Sequence, residues 1–167
     1  MIITKSSAEI AIMRIAGSIV AAVLEELRKM IHPGVTTAEL DAKAEQLTKK
    51  YHAIPAFKGY NGFPASLCAS VNEEVVHGIP GNRTLKKGDI VGLDFGVVYK
   101  DFYADSAITI PVGEVTPEVQ KLLKVTEESL YRGIAQARPG NRLYDISHAI
   151  QTMVESNGFS VVRDFVG

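Results

Sequence analysis

Two aspartates in an otherwise apolar hairpin pattern are the residues of this sequence best suited to chemistry. The stretch GDIVGLDFGVVYKDFYADSAITI, residues 88–110, alternates like two β-strands, and Asp94 and Asp105 interrupt its apolar arms. Successive side chains of a strand point to opposite faces, so a two-residue turn at Tyr99 and Lys100 would place Asp94 directly opposite Asp105. Their Cβ atoms would then lie about 5 Å apart.

Two carboxylates at this separation need compensation, because they repel each other by about 3 kcal/mol at an effective dielectric of about 20. A shared proton, a basic partner or a metal cation would provide it, and a solvated pair on an exposed face is the alternative. Oxygen ligands alone favour Mg, Ca or Mn, whereas an added imidazole favours Mn, Fe, Co or Zn. The spacing by itself leaves these alternatives open.

His77 is the histidine best placed to join the carboxylates. The segment NEEVVHGIPG, residues 72–81, predicts an apolar strand that ends at a glycine turn, where an imidazole can face a cleft. A surface histidine in a turn fits the same pattern. Asn72 and Glu74 either order the edge of this strand or belong to a solvated face.

A glycine-rich loop, KGYNGFPASL at residues 58–67, precedes that segment. Its Tyr60 and Phe63, with the adjacent Cys68, are predicted either to line an apolar pocket or to anchor the loop on the core. Cys68 is the single cysteine, so it has no partner for an internal disulfide, which agrees with a reducing compartment.

The elements that must position these residues follow from caps and periodicity. Ser6 with Glu9 and Thr36 with Glu39 form capping boxes before two apolar helical stripes. Two further helices are predicted after Thr116 and over residues 143–157, and strands near 53–57, over 68–77 and over 159–166. This order predicts an α+β fold with helices packed on one face of a mainly antiparallel sheet.

The composition excludes some partners. A chain of 167 residues with 46% hydrophobic and 22% charged residues is typical of one globular domain, and a net charge of −1 gives no reason to expect nucleic acid or an anionic membrane as partner. The apolar run at residues 15–24 is too short to span a bilayer. We therefore expect a cytoplasmic protein with a small or peptidic ligand.

Three motifs together, GYNGFPASLCASVNEEVVHGIP, KKGDIVGLDFGV and FYADSAITI, resemble type I methionine aminopeptidase of the bacterial kind, and the resemblance covers the whole chain. It implies the pita-bread (creatinase/aminopeptidase) fold, whose internal pseudo-twofold symmetry agrees with a weak repeat in this sequence. Residues 33–57 and 139–162 each begin with Pro-Gly and continue with a helical stripe in register.

The resemblance also implies roles for individual residues. Asp94 and Asp105 would be metal ligands, His77 the catalytic histidine that hydrogen-bonds the scissile peptide and its tetrahedral intermediate, and Asn72 and Glu74 would offer backbone carbonyls to a monovalent cation. The pocket for a methionine side chain would be lined by Phe57, Tyr60, Phe63 and Cys68. Two divalent ions, Co, Mn, Fe or Zn, would serve as cofactors.

The family's remaining metal ligands have no counterpart in this sequence. The resemblance therefore implies that residues 1–167 are a single domain, the N-terminal part of an aminopeptidase catalytic domain whose C-terminal half is absent, and that the chain supplies only part of the ligands. The intact form would be a monomer that removes the N-terminal methionine from nascent chains with a small second residue, in reach of the ribosome. The truncated chain would be prone to self-association.

Two alternatives remain beside the aminopeptidase. The chain could be a non-catalytic binding module that retains the methionine pocket, and metal analysis with a Met-Ala-Ser cleavage assay separates these hypotheses. It could also be a relative of prolidase and creatinase, which share the fold and the aspartate hairpin. Assays with Xaa-Pro dipeptides test that alternative.

Overall fold

The secondary structure follows the order predicted from the sequence, except that residues 159–164, the last described ones, form no strand. The computed structural model describes residues 3–164. Its elements are α1 Ser7–Lys29, α2 Thr37–Lys50, β1 Ile54–Pro55, β2 Leu67–Val71, β3 Ile90–Tyr99, β4 Phe102–Pro111, α3 Pro117–Gln136 and α4 Leu143–Ser156. A single 3₁₀ turn, Tyr60–Gly62, lies between β1 and β2.

The first two helices begin at the predicted capping boxes. Ser6 accepts a hydrogen bond from the amide of Glu9, whose carboxylate in turn accepts from the Ser6 amide at 2.6 Å. Thr36 and Glu39 repeat this reciprocal arrangement at the start of α2, with the Thr36 amide 2.8 Å from the Glu39 carboxylate. Each box satisfies amides that a helix start leaves unpaired, which explains why these positions were predictable.

The sheet is antiparallel throughout and is centred on β3. One edge of β3 pairs with β4 along its whole length, and the other edge pairs with β2 over residues 91–95 and with β1 over residues 97–98. The α+β class and the mainly antiparallel sheet are thus confirmed.

The predicted register of the β3–β4 hairpin is wrong by two residues. The turn falls at Lys100 and Asp101, both of which have positive φ, so Asp94 pairs with Ala107 and Gly96 with Asp105. A turn one residue earlier would force Tyr99 into the left-handed region, which Asp tolerates better than an aromatic residue. A shift of two residues preserves the faces of a strand, so both aspartates stay on one face.

Residues 3–115 form one packed unit, in which α1 lies on β3 and β4 and α2 lies on β1 and β2. The core face of β3 presents Val91, Leu93, Phe95 and Val97, all fully buried. From α1 the core receives Ala16, Ile19, Val20, Val23, Leu24 and Leu27. Burying each large aliphatic or aromatic side chain contributes about 1.5–3 kcal/mol, so this unit holds a substantial core.

Helix α1 is long and apolar enough, by length and composition, to span a membrane. The core helix of a soluble protein meets the same criterion, and six side chains of α1 are buried in the core cluster of residues 3–115. We therefore interpret α1 as a core helix.

Residues 116–164 form a second unit, which contains α3 and α4. The two helices pack closely where α3 carries Gly133, since a Cβ there would lie only 2.8 Å from Cδ1 of Ile150. The predicted strand over residues 159–166 is wrong for its described part, because residues 159–164 form no strand and pair with no strand of residues 3–164. A strand needs a hydrogen-bonding partner as well as a suitable composition. Residues 165 and 166 lie outside the described residues, and the assignment of 1–167 to one domain stays a prediction.

Candidate active site

The face of the sheet opposite the core carries the two aspartates. On β3 this face alternates Gly92, Asp94 and Gly96, on β2 it carries Cys68 opposite Asp94, and on β4 it carries Asp105 opposite Gly96. The alternation of faces predicted for the hairpin is confirmed. A Cβ at Gly92 would make only ordinary contacts, the nearest at 3.7 Å, whereas the position over Gly96 is occupied by the side chains of Phe57 and Ala56.

Asp94 and Asp105 are diagonal neighbours that interact directly. Burial of Asp94, a hydrogen bond between its side chain and that of Asp105, and the negative charge of Asp105 raise the pKa of Asp94 to about 7. Without a metal ion, the raised pKa favours the protonated form of Asp94 in a pH range where an exposed aspartate is ionised.

A cavity of about 630 Å³ opens on this face. Its lining is mainly apolar with convergent polar groups, which is typical of a small-molecule or peptide side-chain site. The lining residues are Phe57, Tyr60, Asn61, Gly62, Phe63, Pro64, Cys68, His77, Ile79, Asp94 and Asp105.

All seven residues predicted for catalysis, divalent metal binding and the methionine pocket lie around this one cavity. Sequence reasoning missed Asn61, Gly62, Pro64 and Ile79, although each is next to or near a predicted residue in the same two loops. Their proximity in sequence is the signal that could have found them.

Phe57 reaches the cavity because β3 has a glycine beneath it. A Cβ at Gly96 would lie 2.9 Å from Cε1 of Phe57 and 3.2 Å from Cβ of Ala56. Any larger residue at position 96 would displace the aromatic ring from the wall of the cavity. Gly96 therefore shapes the site although it carries no chemical group.

His77 lies in an irregular segment, so the prediction that it ends an apolar strand is wrong. β2 stops at Val71, and Asn72 and His77 adopt positive φ. The chain then folds back onto β2, where the Ala69 amide donates to the carbonyl of Gly78 at 2.9 Å. A Cβ at Gly78 would lie 2.4 Å from the Ala69 carbonyl oxygen, so only glycine permits this approach.

Ser70 holds the same turn through a second hydrogen bond. Its hydroxyl accepts from the Gly78 amide at 3.1 Å. The residue after His77 is thus tied to β2 at both its amide and its carbonyl, which holds the backbone next to His77 beside the cavity.

Cys68 lies beside the carboxylates and is buried. Burial, followed by the negative charges of Asp94 and Asp105, raises the pKa of its thiol to about 12. The thiol therefore stays protonated and serves as an apolar wall rather than as a nucleophile.

Asn72 and Glu74 do not line the cavity, and their side chains are engaged elsewhere. Asn72 donates to Asp89 at 2.9 Å and accepts from the Ile90 amide at 2.9 Å. Glu74 accepts from the Val71 amide at 2.8 Å and pairs with Arg83 at 2.8 Å. Their assignment to a monovalent cation concerns backbone carbonyls and stays a prediction.

The two aspartates fit a divalent cation as part of a ligand set. Within residues 3–164 no group of three or more His, Cys, Asp or Glu side chains is arranged to hold a metal ion. A metal site needs at least three or four protein ligands, so the pair alone leaves a divalent ion incompletely coordinated. The cavity that both aspartates line leaves room for an ion and for further ligands.

The family follows from a comparison with known proteins. Residues 11–167 match the model of metallopeptidase family M24. The chain belongs to metallopeptidase family M24. M24 metallopeptidases are metal-dependent enzymes. This agrees with a metal cation as one of the predicted ways to compensate the repulsion between Asp94 and Asp105.

Within family M24, the chain resembles proteins named methionine aminopeptidase. It is 59% identical to methionine aminopeptidase 1 of Bacillus subtilis over 167 residues, which are 100% of this chain and 67% of that protein. It superposes on methionine aminopeptidase from Thermotoga maritima with a TM-score of 0.97 and 47% identity, covering 100% of this chain and 68% of that one. The resemblance predicted from the three motifs is thus confirmed, as is the pita-bread fold.

Other M24 proteins share the fold at lower similarity. The Xaa-Pro dipeptidase from Bacillus anthracis has a TM-score of 0.78 and 24% identity, covering 92% of this chain and 42% of that one. At this identity the likeness concerns the fold alone. It gives no support to a dipeptidase activity of this chain.

Proposed function

We propose that this M24 chain contributes to the metal-dependent removal of N-terminal methionine from peptides and nascent proteins with a small second residue. One observation carries the proposal: an apolar, aromatic cavity ends at a pair of carboxylates and a histidine. The aromatic part suits a flexible thioether side chain. The polar end suits the amino terminus and the scissile carbonyl of a peptide.

Asp94 and Asp105 would hold the divalent ions, Co, Mn, Fe or Zn. When bound, such ions lower the pKa of a coordinated water and so supply a nucleophile at neutral pH. The two aspartates furnish part of the coordination, and a site with two ions requires more ligands than this pair. To receive a cation, the pair must lose the proton that Asp94 holds.

His77 would act on the peptide rather than on the ions. Its position in a fixed turn beside the cavity lets the imidazole donate a hydrogen bond to the oxygen that becomes negatively charged during attack on the carbonyl. Removing one such donor typically costs about 10²–10³ in kcat. Cys68, Tyr60 and Phe63 would bind the methionine side chain and exclude water.

The partners belong to the same proposal. The substrate would be the N-terminus of a nascent polypeptide in the cytoplasm, near the ribosome, and a monovalent cation would lie at the carbonyls of Asn72 and Glu74. The intact form would be monomeric and the 167-residue chain would self-associate, and a measurement of mass in solution tests this.

The test combines cation binding with peptide hydrolysis. We expect calorimetric titration with Mn²⁺ or Co²⁺ to show binding by the wild-type chain that Asp94→Asn and Asp105→Asn abolish, and any release of methionine from Met-Ala-Ser to be lost in EDTA and in His77→Ala. A chain that binds methionine but neither cation, and releases nothing, would favour the binding module. Faster cleavage of Xaa-Pro dipeptides would favour the prolidase relative.

A further inference from the structure

The segment of residues 58–66, here called the pocket loop, supplies five of the eleven residues that line the cavity. Hydrogen bonds within it are local, such as that from the Gly59 amide to the Phe63 carbonyl at 2.8 Å. Gly59 and Gly62 adopt positive φ, and Asn61 does so as well. Such bonds fix the shape of the loop but not its position over the cavity, so its attachment to the rest of the fold matters.

The end of the pocket loop is held by a carboxylate of α2. Oδ1 of Asp41 accepts hydrogen bonds from the amides of Ser66 at 2.8 Å and of Leu67 at 2.9 Å. Both Ser66 and Leu67 are fully buried, so these amides have no access to water as an alternative partner. A charged acceptor makes stronger hydrogen bonds than a neutral one.

The start of the pocket loop is held by the same helix one turn later. Lys58 donates to Oε2 of Glu45 at 2.6 Å, while Lys49 pairs with Oε1 of Glu45 at 2.8 Å. These two hydrogen bonds, from Lys49 and Lys58, lower the pKa of Glu45 to about 2. The carboxylate is therefore ionised throughout the physiological range.

Asp41 and Glu45 lie four residues apart and so share one face of α2. The adjacent face of α2 is anchored in the core through Leu40 and Ala44, both fully buried, and through Leu47. A helix fixed in this way is a rigid support for the residues it presents.

We propose that Asp41 and Glu45, here called the α2 clamp, are positioning residues that hold both ends of the pocket loop on α2 and thereby set the width of the cavity for the substrate side chain. The identity of that side chain as methionine rests on the proposed function. The attachment of the loop does not, because it follows from three contacts between α2 and residues 58–67.

The reactivity of the Cys68 thiol reports on the position of the pocket loop, and it can be measured in a chain that has no enzymatic activity. Cys68 is the single cysteine of the chain, it is 4% exposed, and it lines the same cavity as the pocket loop. Opening of the loop should therefore increase the rate at which iodoacetamide alkylates this thiol, as measured by intact mass.

Asp41→Ala should accelerate alkylation on the order of tenfold, since it removes the acceptor of two buried amides. Asp41→Asn keeps an oxygen acceptor at the same place and should restore most of the protection. Alanine is a better helix former than aspartate, so helix propensity alone predicts the opposite effect of Asp41→Ala.

Lys58→Met and Lys49→Met form a matched pair, because each removes one lysine from the same carboxylate and only Lys58 belongs to the loop. Lys58→Met should accelerate alkylation about two- to fivefold, as expected for an exposed ion pair, and Lys49→Met should leave it unchanged. High salt should accelerate alkylation of the wild type and leave Lys58→Met unaffected.

A general loss of stability must be separated from loop opening. Thr36→Ala removes the N-cap of α2 without touching the loop, and it serves as the destabilised control. Equal alkylation rates in wild type, Asp41→Ala and Lys58→Met would overturn the proposal, as would equal acceleration by Thr36→Ala. If Asp41→Ala does not fold, the lysine pair decides.

Protection of Cys68 by L-methionine distinguishes this proposal from the proposed function. We expect methionine to slow alkylation of the wild type, and the α2 clamp variants to lose discrimination between methionine and the bulkier phenylalanine. Acceleration by Asp41→Ala with no protection by methionine would support the α2 clamp and refute the methionine pocket. If methionine and phenylalanine protected Cys68 in the same ratio in the wild type and in all variants, the α2 clamp would be refuted.

Discussion

The two helix pairs of this chain use similar local signals but differ in what they bury. In residues 3–115, α1 and α2 pack on a four-stranded sheet and share its core. In residues 116–164, α3 buries Val125, Ser129 and Gly133, and α4, within the described part of the chain, buries none of its side chains. Several large apolar residues of this second pair are exposed: Leu130, Tyr131, Ile134, Leu143 and Tyr144.

This difference shows that a helix and its burial have separate causes. Caps and apolar periodicity predict all four helices, although a side-chain cap marks the start of α1, α2 and α3 and not that of α4. Burial requires a second surface, and in residues 3–115 the sheet provides it. We therefore expect stability to be concentrated in the first unit, and the following predictions test that expectation.

The largest effect is expected for Phe95→Ala, because Phe95 is fully buried in the core face of β3. Loss of such a ring lowers the free energy of unfolding by about 3–5 kcal/mol. Leu130→Ala in α3, where the side chain is 52% exposed, should cost less than about 1 kcal/mol. Hydrogen exchange measured separately for residues 3–115 and 116–164 gives the loss of stability in each variant. Similar losses for Phe95→Ala and Leu130→Ala would refute the expectation that stability is concentrated in the first unit.

The carboxylate pair should make the first unit sensitive to pH. Since the folded pKa of Asp94 is raised to about 7, the folded chain keeps a proton that the unfolded chain loses above its ordinary pKa of 3.8. Stability without metal should therefore fall as the pH rises from about 4 to about 7.

Asp94→Asn removes this titration. In EDTA at pH 8 the variant should be more stable than the wild type by about 2 kcal/mol, as judged by urea unfolding, with little difference at pH 4. Exchange in residues 116–164 should not respond. A wild type that gains stability between pH 4 and pH 7 would show that the aspartates are not coupled as described.

One glycine within α1 and one within α3 provide a matched comparison. Replacement of glycine by alanine inside a helix typically stabilises it by about 1 kcal/mol. A Cβ added at Gly17 would meet nothing within 4 Å, so Gly17→Ala should stabilise the protein by about 1 kcal/mol through helix propensity. At Gly133 a Cβ would lie 2.8 and 2.9 Å from side-chain atoms of Ile150, so Gly133→Ala should give no gain or a loss. Thermal unfolding of both variants tests whether α3 and α4 are packed this closely.

Effects of about 1 kcal/mol or less are expected at the helix caps. Thr36 accepts from the Glu39 amide at 3.2 Å, whereas Arg142 at the start of α4 has no acceptor in its side chain. Thr36→Ala should cost about 1 kcal/mol, and Arg142→Thr should add about 0.5–1 kcal/mol, both measured by urea unfolding. The Arg142 amide donates a hydrogen bond to the Asp145 carboxylate at 2.7 Å. Equal and opposite changes would confirm that α2 and α4 differ in their caps, while no change at Arg142 would show that this hydrogen bond already suffices there.

Local signals allowed most of the fold to be predicted. The capping boxes, the Thr116-Pro117 start and the left-handed Gly158 defined helix limits to within a residue or two. The faces of the hairpin followed from alternation. The register did not, because it depends on which two residues of the turn adopt positive φ, and Lys100 with Asp101 is an uncommon choice.

The site was predictable where its residues carry chemistry and not where they support it. Asp94, Asp105 and His77 stand out by type and by motif. Asp41, Ser70 and Gly78 do not stand out. Each acts through a hydrogen bond or a close backbone approach to a different segment of the chain. A contact of this kind leaves no local pattern.

The sequence by itself determined the helices, the alternation of the strands and the pairing of two acids on one face, because these depend on interactions within a few residues. Only the tertiary structure decided the register of the hairpin, the failure of residues 159–164 to form a strand, and the hold of α2 on the pocket loop. Each of these depends on a partner from elsewhere in the chain, and local propensity does not specify partners.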